Sequence, residues 1–224
     1  MAQPAFRWLG DRKTGADQAE GSLTGSLGFP DKKAALEKLR EHGYAQAFQA
    51  AYPGEAEAFT TANYGKALQA YQATLATPAP FDRFLAGDDR GLDSVQLAGL
   101  RAFIETGCAA CHNGALLGGT QFTKFGVVKD YWLETGSKKP DAGRASFTKN
   151  EADRHFFRVP MLRNAARTAP YFHDGSVGTL EGAIKVMAAV QLGRTLDAKA
   201  AGEIAAFLES LSGPAPAHYA PPAR

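Results

Sequence analysis

Cysteine is nearly absent from this chain, with two residues in 224, at positions 108 and 111. A disulfide-stapled scaffold is thereby excluded. A closed zinc site needs four ligands, and the sequence offers neither a second Cys pair nor a His-x3–5-His element. Long apolar runs are also missing, and none approaches the ~18 residues of a membrane span. Neither sign of charge dominates: 25 Lys and Arg face 23 Asp and Glu, a net charge of +2. With a pI near 8.5, the balance is too mild to argue for nucleic acid. Met1 to Gly10 contains no basic start followed by an apolar stretch, so no signal peptide is read there. Methionine is scarce as well, and three residues (Met1, Met161 and Met187) are the whole supply of thioethers. What is plentiful is apolar surface: 45% hydrophobic residues can build a real core.

Both cysteines fall in one stretch, Cys108-Ala109-Ala110-Cys111-His112. Two thiols three residues apart on one turn can each form a thioether to a haem vinyl group, and the following His112 then sits beneath the iron as proximal ligand. Cys-x-x-Cys-His reads as c-type haem attachment. Scattering two Cys and five His at random would produce the pattern in roughly 1 of 5,000 arrangements. The rival is a thioredoxin-like redox pair, which wants the motif after a strand and opening a helix; here a helix leads into it. Haem is attached to thiols outside the bacterial cytoplasm, so the expected location is the periplasm. Because no signal peptide precedes the chain, the expectation is that its numbering starts inside a longer precursor or that it has been trimmed.

Along the chain, residues 1–30 are rich in Gly, Ser and charge and predict an extended, interdomain-type segment. Residues 31–212 predict an all-α, cytochrome c-like helical domain with long irregular haem-wrapping loops. Asp31 caps a helix bearing Leu36 and Leu39. Tyr64, Leu68, Tyr71 and Leu75 form an amphipathic stripe that ends at Thr77-Pro78. Asp93 and Gln96 make a capping box for a helix that carries Leu97, Leu100 and Ile104 and delivers Cys108. Residues 113–178 show little periodicity, many glycines and the aromatics Phe122, Phe125, Tyr131 and Trp132. So long an irregular stretch counts against a compact domain unless a haem supplies apolar faces for the loops to cover. Thr179 then caps a helix with Leu180, Ile184 and Met187, and Asp197 caps one with Ile204, Phe207, Leu208 and Leu211. Residues 213–224, with four prolines, predict a disordered tail.

An electron-transfer haem needs a second axial ligand. Met187 sits on an apolar stripe about 75 residues after His112, and a thioether there would raise the reduction potential; equally, Met187 could simply fill the core. His173 is the rival ligand. Met161, between Pro160 and Leu162, reads as loop packing. Arg158, Arg163 and Arg167 suit either haem propionates or pairing with Asp153 and Asp174. Lys124, Lys129, Lys138, Lys139 and Lys149 lend one loop a basic cast, read either as a solvated face or as a docking patch for an acidic redox partner.

Three runs carry a family resemblance: Phe157-Arg158-Val159-Pro160-Met161-Leu162-Arg163-Asn164, Ala169-Pro170-Tyr171-Phe172-His173-Asp174-Gly175 and Thr179-Leu180-Glu181. With Cys-x-x-Cys-His before them, they resemble the bacterial di-haem cytochrome c peroxidase and MauG family. Phe81 to Asp88 resembles that family's segment before its second haem, and Trp8 to Arg12 with Gln18-Ala19 a variant of its interdomain stretch. The resemblance implies that Cys108, Cys111 and His112 hold the second, high-potential haem, with Met187 as axial ligand and Arg158 beside it. It implies carbonyls of Thr168 and Pro170 at a calcium ion, and Trp8 as a relay between two haems. His173 falls in an interdomain loop and becomes structural or tuning. The first haem domain has no counterpart in the chain, and where the family places a catalytic Glu the matching run is Gly25-Ser26-Leu27-Gly28. Glu20 and Asp31 are the nearest carboxylates, and neither aligns.

The expected function is therefore a c-type cytochrome domain relaying single electrons to a peroxidatic haem outside this chain. The expected partners are a small redox donor of cytochrome c or cupredoxin type, the first haem domain, and a second copy in a homodimer, with neither nucleic acid nor a membrane span. The alternatives are a hydrogen-peroxide-reducing or MauG-like oxidoreductase shortened at its first haem domain, and a single-haem sensor or partner subunit.

Overall fold

The computed structural model describes residues 5–219. Residues 1–4 of the expected N-terminal segment, Met1 among them, and residues 220–224 of the expected tail lie outside the described residues. Two compact units are present, one built on Asp11–Ala76 and the other on Thr77 onward together with Trp8–Gly10. The boundary expected after residue 30 falls inside the first unit.

The first unit comprises helices α1 (Gly15–Thr24), α2 (Lys32–Glu41), α3 (Tyr44–Ala51) and α4 (Thr61–Ala73). The extended chain expected over residues 1–30 is thus corrected: α1 is helical, opened by a reciprocal capping box in which Thr14 Oγ1 accepts from the Asp17 amide and the Asp17 carboxylate accepts from the Thr14 amide. Asp31 caps α2 as expected, accepting from the Ala34 amide at 2.8 Å. Helices α1 and α4 meet at Gly65, where an added Cβ would come within 2.6 Å of the Ala16 carbonyl. This close approach buries the Asn63 and Gly65 side of α4. Tyr71, a member of the expected stripe, is 45% exposed.

The second unit contains α5 (Pro80–Leu85), α6 (Ser94–Thr106), strand β1 (Phe122–Lys124), α7 (Tyr131–Thr135), α8 (Ala145–Thr148), β2 (Phe156–Arg158), α9 (Leu180–Leu192) and α10 (Ala198–Glu209). Strands β1 and β2 pair antiparallel, with Phe122 opposite Arg158 and Lys124 opposite Phe156. They are the only strands among the described residues, so the fold is mainly α. The caps at Asp93, Thr179 and Asp197 all accept from the amide three residues on, as the sequence predicts.

Helices α6 and α10 pack at the heart of this unit. Gly99 is the reason they can: a Cβ there would lie 1.9 Å from the Glu203 carbonyl oxygen. The contact turns Gly99, Phe103 and Thr106 inward. Of the face expected from Leu97, Leu100 and Ile104, the two leucines pack against the core, whereas Ile104 is corrected, being 56% exposed. Phe81, Phe103, Ile204, Phe207, Leu208 and Leu211 form the main core. A second cluster of Phe125, Tyr131, Phe157 and Val190 lies against α9. The irregular stretch between α6 and α9 joins these two clusters.

Candidate haem site

The cysteine motif begins where α6 stops. Gly107 takes φ +105° and closes the helix, donating to the Ile104 carbonyl, and Cys108–Ala110 make a single tight turn. Within it the Cys111 and His112 amides both donate to the Cys108 carbonyl, and Gln121 Nε2 donates to the Cys111 carbonyl at 2.9 Å. Two sulfurs and an imidazole are thus presented from one stitched turn.

All three line a cavity of about 300 Å³, at the small end of the range for ligand sites. Trp8, Arg158, Thr168, Pro170, His173 and Met187 line it too, whereas Arg163 and Arg167 do not. Its remaining walls are Phe, Leu, Ile, Val and Ala side chains for the most part, and no carboxylate is among them. A largely apolar space lined by two thiols and an imidazole fits a hydrophobic cofactor held covalently through those thiols.

The electrostatics agree with ligation and disagree with a redox pair. Burial pushes the Cys108 thiol up to about 11, whereas a reactive thiol needs a depressed value. Among the described residues no group of three or more His, Cys, Asp and Glu side chains could hold a metal ion, so a zinc reading has no ligand set. Burial lowers the pKa of His112, with the Leu117 and Pro160 carbonyls acting in the opposite direction. The imidazole is therefore neutral, the form that binds iron. Its Nδ1 lies 3.3 Å from the Leu117 carbonyl. With that nitrogen as donor, Nε2 is left with its lone pair to ligate.

Met187 reaches the cavity from α9, packed against the Phe125, Tyr131, Phe157 and Val190 cluster. One turn further on, Gln191 clamps the loop after β1: its Oε1 accepts from the Gly126 and Val127 amides at 2.6 and 3.2 Å, and its Nε2 donates to the Lys124 carbonyl at 3.0 Å. Gln191 went unread in the sequence, although its spacing of four from Met187 places it on the same helix face. Met161, expected to be loop packing, also lines the cavity, beside Gly119.

The three arginines separate. Arg158 lines the cavity, and burial lowers its pKa. Arg163 instead makes a bidentate pair with Asp82, at 2.9 and 2.8 Å, a partner that was not anticipated. Arg167 is exposed. His173 stacks on Phe157 with ring centroids 4.3 Å apart and meets Trp8 edge-on at 6.3 Å. The backbone around Trp8 is anchored by the Arg158 amide, which donates to the Trp8 carbonyl at 2.8 Å, and by Arg144, which donates to Leu9.

Outside the cavity, Glu20 is committed to Lys32 and Thr61 at 2.6 and 2.7 Å. The bond to Lys32, then that to Thr61, holds its carboxyl below the usual value. Asp31 is committed to its cap. Lys129 pairs with Glu134 at 3.4 Å, in keeping with a solvated face.

Comparison with known proteins agrees with this geometry. Residues 1–90 match the family model described as di-haem cytochrome c peroxidase. The chain is 40% identical over 220 residues to cytochrome c551 peroxidase of Pseudomonas aeruginosa, covering 93% of this chain and 61% of that protein. It is 38% identical over 212 residues to cytochrome c peroxidase Ccp of Escherichia coli, covering 92% of this chain and 44% of that protein. A solved MauG-like protein associated with microbial copper homeostasis superposes with a TM-score of 0.77 at 25% identity, over 94% of this chain and 72% of the other. The chain thus spans about half the length of the curated relatives it matches, 44 to 61% in these two. With two thiols and an imidazole converging on one apolar cavity, these likenesses show that the chain belongs to the di-haem cytochrome c peroxidase and MauG family and is a peroxidase-like haem domain.

Proposed function

We propose that this chain holds one haem c, linked through Cys108 and Cys111 and ligated by His112 and Met187, and passes single electrons to a peroxide-reducing haem outside the chain. Bound haem supplies a one-electron couple between ferric and ferrous iron, which a thioether ligand biases toward the ferrous state. The observation that carries the reading is the convergence of both thiols, His112 and Met187 on one cavity without a carboxylate. Peroxide cleavage needs a titratable group within reach of the oxygen. Glu20 and Asp31 are engaged elsewhere, so a carrier suits this site better than a catalyst.

The residues divide the work. His112 comes from the Cys-x-x-Cys turn, and Met187 from the cluster on α9. Met161 and Met187 both line the cavity; Met187 comes from α9 and the aromatic cluster packed on it, away from the turn that carries His112, and would be the thioether that ligates. Arg158 is suited to a propionate. Trp8, 37% exposed and edge-on to His173, is suited to carry electrons out of the cavity. For calcium, two carbonyls at Thr168 and Pro170 are a fraction of the six to eight oxygens the ion takes, so the rest of the shell would come from water or from residues outside this chain. Export to the periplasm, a small donor protein and a homodimer complete the proposal. Among the described residues no helix is long and apolar enough to cross a membrane.

The test is co-expression, with an added export signal, alongside haem-attachment machinery. One c-type haem per chain in a reduced pyridine spectrum is expected, and loss of it in Cys108→Ser/Cys111→Ser. A chain that takes up no haem contradicts the proposal.

A further inference from the structure

The His112 ring is held by backbone carbonyls, and the loop that carries one of them, Leu117, is tied down two residues earlier by one guanidinium. Leu117, whose carbonyl faces Nδ1, sits at φ +49°, a left-handed conformation that a branched, buried side chain adopts only when its surroundings impose it. The imposing contacts are visible. The Leu162 amide donates to the Leu116 carbonyl at 3.2 Å and the Gly119 amide to the Val159 carbonyl at 2.8 Å. Arg163 adds the longest reach: its Nε donates to the Ala115 carbonyl at 3.1 Å while its two terminal nitrogens clasp Asp82. Asp82 is itself pinned, accepting from the Ala79 amide at 2.8 Å at the start of α5. On the other side, Gly118 leaves room for the Pro160 carbonyl. A Cβ there would stand 2.2 Å from that oxygen and 3.4 Å from His112 Nδ1.

We infer that Arg163 is a positioning residue for the axial imidazole, tying the Ala115–Leu117 loop to α5 so that the Leu117 carbonyl stays on His112 Nδ1. The inference rests on the haem proposal above. Arg163 is outside the lining of the cavity, and its three nitrogens each hold Asp82 or Ala115, so its role is read through the loop. An outer partner on the second nitrogen makes a ligating imidazole a stronger electron donor and fixes its plane. Stronger donation stabilises ferric iron, so loosening the Leu117 carbonyl raises the reduction potential.

The haem-loaded chain tests this with three variants. Arg163→Met removes both links. Arg163→Lys keeps a cation for Asp82 but replaces the planar fork with a single compact ammonium, which cannot span both Asp82 and the Ala115 carbonyl as the guanidinium does. Gly118→Ala displaces the Pro160 carbonyl without touching Arg163. Arg163→Lys is expected to unfold at close to the parental temperature yet show an upward shift in potential. Its His112 ring N–H, followed by NMR in the reduced, diamagnetic protein, is expected to exchange faster than the parent's, because the outer partner on that nitrogen is loosened. Gly118→Ala is expected to shift the potential in the same direction. If Lys restores the potential and exchange rate that Met loses, Arg163 is only an ion-pair partner and the inference is overturned. It is overturned as well if a folded, haem-bearing Arg163→Met matches the parent in both. A parent chain without haem would sink the cofactor reading and this one together; a loaded parent with unmoved variants would sink this one alone.

Discussion

Replacing Gly99 with alanine sets two effects of opposite sign against each other. Helix propensity favours the change by about 0.8–1.0 kcal/mol, because glycine is a poor interior residue. Packing opposes it. The new methyl would lie 1.9 Å from the Glu203 carbonyl oxygen, 2.6 Å from its carbon and 2.9 Å from Phe207 Cβ. The first two are backbone atoms, so no rotamer change relieves the overlap. Restoring a contact of 3.4 Å requires α10 to retreat by about 1.5 Å, in an interior with little slack. That step draws Phe207 away from Phe103 and Phe81, whose ring centroids now lie 5.3 and 5.4 Å away. Overpacking of this kind costs about 3 kcal/mol, the upper end of the usual range, so about 2 kcal/mol survives the propensity gain. For a unit of this size that corresponds to a fall of about 4–8 °C in a thermal melt followed by circular dichroism. A melting temperature equal to or above the parent's would show that propensity wins, and would refute the account of how α6 and α10 meet.

Three further outcomes are expected. Met187→Ala should lower the reduction potential and open the iron to carbon monoxide, whereas Met161→Ala should do neither; spectroelectrochemistry on the two variants decides, and matching behaviour would make Met187 core packing. Asp93→Ala removes the oxygen that accepts from the Gln96 amide at 2.8 Å and should cost about 1 kcal/mol in denaturant unfolding; no change would mean the cap is idle. His173 should make the fold acid-sensitive: burial, partly offset by Asp174 and Asp141, lowers its pKa below the ordinary 6.5. Between the folded value and 6.5 the unfolded chain binds more protons, so stability falls as pH drops through that window and levels off above it. Melting temperatures from pH 5 to 8 should slope less in His173→Phe, and an unchanged slope would remove His173 from the account.

Much of the helical framework could be read from local chemistry. Asp31, Asp93, Thr179 and Asp197 each sit where a side-chain oxygen meets an amide three residues on, and all four cap as expected. The same signal was present at Thr14 with Asp17, but the surrounding glycine and charge concealed α1. Which face each helix buries was harder, because Gly65 and Gly99 decide it by letting a neighbouring backbone come close. Periodicity alone favoured Tyr71 and Ile104, and both are exposed. The β1–β2 pair joins three-residue strands far apart in the chain, a non-local match with no local pattern. At the site, the Cys108–His112 motif and Met187 were visible as residue types. The supports were not: the Leu117 and Pro160 carbonyls are backbone atoms, and the Arg163 partner, Asp82, lies 81 residues away.

The most direct test of the central claim is a carbon monoxide titration of the reduced, haem-loaded chain. With His112 and Met187 both on the iron, the predicted absorption spectrum is unchanged by the ligand. Stoichiometric formation of a carbon monoxide adduct would mean an open coordination position, and would contradict the reading of this domain as an electron carrier.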